Sequence, residues 1–497
     1  MRVTGAGRPR RRGGHAVVVG AGVAGLLAAR VLADAFARVT VVERDEPSAA
    51  PPGRDEHPHG LTARGATVVE ELFPGLLREL DGGRGASGDF GERVAWRFAS
   101  GWSPRAPVGI PLRAVGHDAL RAALRSRITE FDGVRLRTGA RASGLVGRAD
   151  RVTGVRVRQP GDAAMDLVLD ADLVVDASGH GSRLPGWLVE LGLPRVRRRV
   201  VEARVEYVSR PYALSERDAL PWDAAVEAVH APYGTRGFYA SRVGGNRLLV
   251  TFQGVPGDAP PRDARALAAF AEGLGAPLGA LLARLTPCAP PRPGVRHPAV
   301  RTAYDRLPRW PEGILAVGDS VCAVDPLYGQ GLGVAALEAE LLRAMLREAP
   351  VPDPGQGLGG LPAVLPDGFC RYFQVRVARL TRWPWLLSTA QDRGWRQGAV
   401  AGRAVHVLAG AAQRALAADP YVFRRFLLVA HLVLGPRAFL RPPFLWRCVR
   451  AALRRPGAGA ARLWWGRAGH AVRGPRAGGA VRVRGAGPVP GPGRLRG

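Results

Sequence analysis

Apolar residues fall into short unbroken runs in the first and later thirds of the chain and into an alternating pattern between them. Val17-Val18-Val19, Val39-Thr40-Val41-Val42, Leu173-Val174-Val175 and Gly313-Ile314-Leu315-Ala316-Val317 are bounded by glycine or acidic turn residues, as expected of buried strands. Between Val200 and about Gly254, Val201, Ala203, Val205 and Tyr207 alternate with other positions, as do Phe238, Ala240 and Arg242. That period of two predicts antiparallel strands with one covered face, and Arg247 to Gln253 after Gly244-Gly245-Asn246 adds a hairpin. Helical spacing marks Thr62 to Leu80 with a break at Phe73-Pro74-Gly75, His117 to Ile128, Asp263 to Leu285 and Val334 to Leu342. Short strands are expected at Val134 to Leu136, Val152 to Val157 and Leu167 to Leu169. The sum is an α/β chain whose parallel part is interrupted by an antiparallel sheet.

At 497 residues the chain should form two or three substructures. Hydrophobic residues at 46% and a mean hydropathy of -0.03 fit a soluble globular protein. The net charge of +29 changes less than its size suggests. The chain has no lysine, its Ala, Gly, Pro and Val are abundant, and its charge excess sits largely in Arg8 to Arg12 and from Arg450 onward. This is the mark of a GC-rich coding sequence, and without aromatics interleaved in a folded motif it predicts no nucleic-acid partner. Met1 to Gly14 is basic but lacks an apolar region and cleavage site, so a cytoplasmic protein is expected. Phe426 to Leu434, interrupted by His431, is too short for a membrane span. Cys288, Cys322, Cys370 and Cys448 lack Cys-x-x-Cys spacing, and His57 with His59 are too few for a metal site.

The chemistry starts at Gly20-Ala21-Gly22-Val23-Ala24-Gly25, a Gly-x-Gly-x-x-Gly turn between a strand and a small-residue helix. Gly20 makes the tight turn, Gly22 lets backbone approach a pyrophosphate, and Gly25 lets helix and strand pack closely. Free amides at the helix start, including those of Val23 and Ala24, favour phosphate, and Glu43 followed by Arg44 stands where an acid accepts ribose hydroxyls. Far along the chain, Gly318-Asp319 and Tyr328-Gly329-Gln330-Gly331-Leu332-Gly333 form a second glycine-rich helix start. Two such turns imply one large anionic cofactor held from both ends.

Together with Gly53-Arg54-Asp55-Glu56-His57-Pro58-His59-Gly60-Leu61, Leu72 to Leu76, Val175-Asp176-Ala177-Ser178-Gly179-His180-Gly181-Ser182-Arg183 and Asp325-Pro326-Leu327-Tyr328-Gly329-Gln330-Gly331, these motifs resemble FAD-dependent monooxygenases of the para-hydroxybenzoate hydroxylase fold, and among them the actinobacterial epoxidases of polyether antibiotic pathways. The resemblance spans about residues 15 to 345. It implies a Rossmann-type FAD-binding domain in residues 15–195 and 301–349, an inserted antiparallel-sheet substrate domain in 196–300, and a linker and helical segment in 350–453. A disordered basic leader, 1–14, and an Arg/Gly/Pro-rich tail, 454–497, complete the expected organisation. Asp319 would hold the ribityl chain of FAD, the amides of Gly331, Leu332 and Gly333 would face the pyrimidine edge of the flavin, Pro326 would line its oxygen-reacting side, and Arg54 stands where family members often carry glutamine. Ser178-Gly179 replaces the more usual Asp-Gly, and His117 replaces a common arginine, with Arg113 a turn away.

The implied activity is insertion of one oxygen atom from O2 through a 4a-hydroperoxyflavin into a hydrophobic substrate, free or held on a carrier protein. Epoxidation of an alkene in a polyketide is the foremost reading. Electrons would come from NADPH or NADH, or from a separate flavin reductase. The flavin bears the chemistry, so no acid or base is named. Tyr207, Tyr239 and Phe252 are the substrate-wall candidates. Aromatic hydroxylation and reduction of isoprenoid double bonds share the fold, and a binding protein using its basic tail is the alternative outside enzymes. A halogenase of this fold would need an active-site lysine, which this chain lacks.

Overall fold

The computed structural model describes residues 14–46, 60–81, 88–98, 100–113, 115–159, 166–202, 205–215, 218, 220–229, 234–243, 246–294, 298–324, 329–350, 365–396 and 403–452. Arg54, His57, His59 and Pro326 lie outside the described residues, as do residues 1–13 of the basic leader and the whole tail.

The unbroken aliphatic runs form a five-stranded parallel sheet in the order Ile314–Ala316, Leu173–Asp176, His15–Val19, Arg38–Val42, Val134–Arg137. Its central strands are buried on both faces, which is why they read as continuous rather than alternating. The helices Val23–Ala35 and Gly331–Glu348 cover it, sharing one core with the sheet. The predicted helix 62–80 is two helices, Ala63–Leu72 and Leu76–Leu80, parted at Phe73-Pro74-Gly75, and His117–Ile128 forms as the spacing requires.

The alternating segment builds the second sheet. Glu206–Ala213, Arg247–Gly254, Arg236–Val243 and Ala224–Glu227 lie side by side, antiparallel, and the sheet continues in parallel through Val94–Phe98. That last strand, with Gly101–Trp102 beyond it, belongs to a stretch expected in the cofactor domain. Its partner lies 130 residues downstream, as the Arg97–Glu227 ion pair shows, so no local pattern could have announced the pairing.

Register decides what each face of this sheet does, because neighbours across strands share a face. Val208, Phe252 and Phe238 lie on one row, and with Val250, Ala240 and Ala225 they pack against the helices Ala264–Glu272 and Gly275–Leu282. The opposite face carries the row Ser209, Thr251, Tyr239, Val226, Trp96. Trp96 stacks on Phe98, 5.9 Å between centroids, and meets Phe426 of the helix Pro420–Ala430 edge-on at 5.6 Å. The C-terminal helices thus close on the face that the first helical pair leaves open.

Candidate dinucleotide-cofactor site

Three adjacent strands end together, and each feeds a glycine-containing turn at the same edge of the parallel sheet. His15–Val19 leads to Gly20-Ala21-Gly22, Leu173–Asp176 to Ser178-Gly179-His180-Gly181, and Ile314–Ala316 to Gly318-Asp319. The carboxyl edge of an open parallel sheet is where such folds place ligands, because the turns and helix starts there expose unpaired amides.

The first turn is held by close backbone approach. Gly20 has φ +106°, and a Cβ on it would sit 2.5 Å from the Ala177 carbonyl oxygen; a Cβ on Gly25 would sit 1.9 Å from that of Gly20. Gly22 differs: a Cβ there would meet nothing within 4 Å. Two glycines close the turn, and the third leaves free space before the helix start at Val23 and Ala24. Glu43 is buried at the end of its strand, where Ala21 N–H donates to its Oε2 at 2.7 Å and Asp45 N–H to its Oε1 at 3.1 Å. The acid therefore braces the turn, and its remaining lone pairs are the ones left for a ribose. Arg44 points away, its side chain 68% exposed and near Asp45.

The middle turn is locked by Asp176. Its carboxylate accepts from Ser178 Oγ at 2.5 Å and Ser182 Oγ at 2.6 Å, and burial raises its pKa against the lowering effect of those hydroxyls. His180 is tied to the Pro298 carbonyl at 3.1 Å.

At the third turn Gly318 takes φ +65°, where a Cβ would press on Ala24 at 2.8 Å. Gly318 N–H donates to Glu338 Oε2, and burial, with Asp319 adding repulsion, pushes the Glu338 carboxyl up to about 8. Asp319 itself makes no hydrogen bond among the described residues. It is solvent-accessible although protein surrounds it, and that surrounding raises its pKa, with His180 opposing. An exposed acid at this edge with no protein partner can accept hydrogen bonds from a polar ligand.

The helix Gly331–Glu348, whose Glu338 accepts from Gly318 N–H, opens with the second glycine-rich turn. Gly331 has open space where a Cβ would be, Leu332 is half-buried, and Gly333 packs closely on the Thr62 side chain; all three amides belong to the first turn of the helix. Gln330 is buried, and its Nε2 donates to the Ala430 carbonyl at 3.0 Å. The next residue, His431, accepts from Ala63 N–H through Nδ1 at 3.2 Å, and its carbonyl accepts from Arg64 N–H. The C-terminal segment is thereby fastened to two helix starts at the crevice. Burial lowers the His431 pKa to about 4, so the ring is neutral with its proton on Nε2, lying edge-on to Phe90 at 4.6 Å.

Of the expected substrate-wall residues, Tyr239 lies on the row facing the C-terminal helices, enclosed yet partly accessible. Phe252 does not: it is buried on the opposite face against Phe270, centroids 6.3 Å apart, because its register position is one residue from that of Thr251. Tyr207 lines an open cavity of about 520 Å³ with Glu206, Arg262 and Gly294. Arg113, considered as a cofactor contact, is paired with Asp81. Sequence reasoning missed Glu338, Trp96 and the role of His431. An acid inside the apolar stretch Val334 to Leu342 and a histidine inside Phe426 to Leu434 were the available signals. No cluster of three metal-ligating side chains occurs among the described residues, and no described helix is long and apolar enough to cross a membrane.

Comparison with known proteins agrees with this architecture. No family model matches the chain. Among solved structures it is similar to a flavoprotein/dehydrogenase from Cytophaga hutchinsonii (TM-score 0.59, 14% identity, 88% of this chain and 98% of that one). It is also similar to p-nitrophenol 4-monooxygenase PnpA from Pseudomonas putida (TM-score 0.57, 19% identity, 83% and 96%) and to CmlS, a flavin-dependent halogenase (TM-score 0.56, 15% identity, 92% and 74%). These likenesses establish the fold: a Rossmann-type domain with an added sheet and a helical C-terminal region, as in flavoprotein monooxygenases. In sequence it is 34% identical over 360 residues to Protein Rv3254 of Mycobacterium tuberculosis, spanning 67% of this chain and 73% of that protein, and it belongs to the family of Rv3254.

Proposed function

We propose that this chain is an FAD-dependent monooxygenase that transfers one oxygen atom from O2 to a hydrophobic small molecule, with an alkene of a polyketide as the favoured substrate and epoxidation as the reaction. Asp319 carries the proposal: it is an exposed acid with no hydrogen-bond partner among the described residues, and Gly318 before it packs on Ala24 of the pyrophosphate-type helix start. Bound FAD would supply the activation of oxygen. The protein's part is to hold, orient and exclude water.

Gly22, Val23 and Ala24 would receive the pyrophosphate at a helix start, Glu43 the adenosine ribose, and Asp319 the ribityl hydroxyls. The amides of Gly331, Leu332 and Gly333 would face the pyrimidine edge, where a helix N-terminus favours the negative charge of the reduced ring. Arg54 would contact the cofactor and Pro326 would line the oxygen side of the ring, as the resemblance implies. Electrons would come from NADPH or NADH or from a reductase, and the substrate would arrive free or on a carrier protein.

Epoxidation is favoured over aromatic hydroxylation by the wall. Trp96, Val226 and Phe426 line that face with apolar side chains, and His431, packed against Phe90, is too weak a base to deprotonate a phenol near neutral pH. The test is the visible spectrum of the purified protein, followed by turnover with FAD, NADPH or a reductase, and isotopically labelled O2 on polyenes and phenols. Label in an epoxide is the expected result. Colourless protein that binds no FAD would end the flavin reading; label only in phenols would move the reaction to hydroxylation.

A further inference from the structure

The last described helix, Pro442–Ala452, is two-faced in a way the cofactor site does not use. Phe444, Cys448 and Ala451 turn inward to the C-terminal core, at spacings of three and four residues. On the outer side Leu445 is 48% exposed, Trp446 58% and Val449 62%, and Leu440, just before the helix, is 71% exposed. These are four of the large apolar side chains that the described residues leave most open, gathered at one corner of the molecule. Arginines rim them. Arg437, Arg441 and Arg450 are exposed, and the Arg450 guanidinium lies 5.3 Å from the centre of the Trp446 ring. After Asp419 the sequence contains no acidic residue to its end, while arginine recurs throughout, and Asp419 is already engaged by Arg447.

We propose that this corner docks the protein on an anionic membrane surface, with Leu440, Leu445, Trp446 and Val449 entering the interface and the arginines meeting lipid phosphates. An 11-residue helix is about 16 Å long, far too short to span a bilayer but adequate to lie in its surface. Tryptophan favours that zone, where one edge of the ring is wet and the rest apolar, and arginine keeps its charged end at the headgroups while its stem covers apolar surface. Charge decides between a membrane and a second copy of the chain. A two-fold contact would set the same acid-free arginine rim against itself, whereas anionic lipid neutralises it. The inference stands whether or not the crevice binds FAD.

The test is co-sedimentation of the full chain with vesicles of phosphatidylcholine alone and of phosphatidylcholine mixed with phosphatidylglycerol. The parent protein should sediment with the anionic vesicles and remain in solution with the neutral ones. The double substitution Leu445→Glu, Trp446→Glu, on exposed positions whose change leaves the core untouched, should weaken that binding by at least about tenfold through lost apolar burial and added repulsion. Circular dichroism of the variant checks that the fold is kept. Equal binding by variant and parent would overturn the proposal, since it would mean that arginine charge alone holds the lipid. So would failure of the parent to bind, or a dimer, seen without vesicles, that the substitution dissociates.

Discussion

Glu43 and Asp319 stand at the same edge of one parallel sheet, three strand spacings apart, or roughly 14 Å, and the protein treats them in opposite ways. Glu43 is buried and bonded to the backbone amides of Ala21 in the glycine turn and Asp45 in its own. Asp319 is surrounded by protein, open to solvent and bonded to nothing described. The first end of the crevice is therefore a finished part of the fold that can also receive a ligand. The second keeps an acid that no protein donor engages among the described residues. A sequence motif cannot distinguish these cases, since both read as a strand followed by an acid.

The sharpest way to break this comparison is within the first turn. Gly25→Ala drives a Cβ to within 1.9 Å of the Gly20 carbonyl oxygen, so the helix Val23–Ala35 must move off the sheet. A loss of about 2–4 kcal/mol is expected, read as a fall in denaturation midpoint with or without cofactor. Gly22→Ala places its methyl in empty space. It should shift stability by less than about 0.5 kcal/mol while weakening FAD binding about tenfold or more, because the methyl occupies the pyrophosphate's approach. If both variants lost stability equally, Gly22 would be a structural glycine and the open space would have no ligand to hold.

A milder pair tests the two acids. Asp319→Asn should weaken FAD binding by about 10–100-fold, the worth of hydrogen bonds to a charged group. The cofactor-free protein should melt no lower, and measurably higher if relief of the unpartnered charge dominates. Glu43→Gln should do the reverse in the cofactor-free protein, costing about 1–2 kcal/mol as the brace on Ala21 weakens. A melt of cofactor-free protein and a flavin titration separate the two. Equal destabilisation by both substitutions would erase the distinction between a braced end and an open one.

These contrasts mark how far the sequence could be read. The buried runs, the Gly20 to Gly25 turn and the helix at His117–Ile128 were legible because each is set by neighbours in the chain. So was the alternation of Phe238 and Ala240, but not the direction in which that face would point. Phe252 follows the same rule of two and falls under the helices, leaving Thr251 and Tyr239 for the other side. The parallel pairing of Val94–Phe98 with Ala224–Glu227, and the docking of His431 on Ala63, depend on residues more than a hundred positions apart. Only tertiary packing decides such contacts, and no local propensity encodes them.

A pH dependence sets the crevice against the C-terminal segment through two groups with opposite signs. Glu338 holds its proton in the fold up to about pH 8 but releases it near 4.5 when unfolded. Between those values the native state binds more protons, so rising pH favours unfolding, and Glu338 subtracts stability progressively across that window. His431 is neutral in the fold down to about pH 4 but takes a proton near 6.5 when unfolded. There the unfolded state binds more protons, so falling pH favours unfolding from about 6.5 to about 4. Glu338→Gln keeps an acceptor for Gly318 N–H and removes the titration, so its gain over the parent should grow from pH 5 to pH 8. His431→Gln should show its smallest disadvantage at the acid end. Denaturation midpoints across pH 4 to 9 would resolve the two, and a Glu338→Gln gain that stayed constant with pH would mean that the carboxyl behind Gly318 is already ionised. In that case Asp319 would face a second negative charge, and its attraction for a ligand's hydroxyl donors would be stronger than the neutral Glu338 allows.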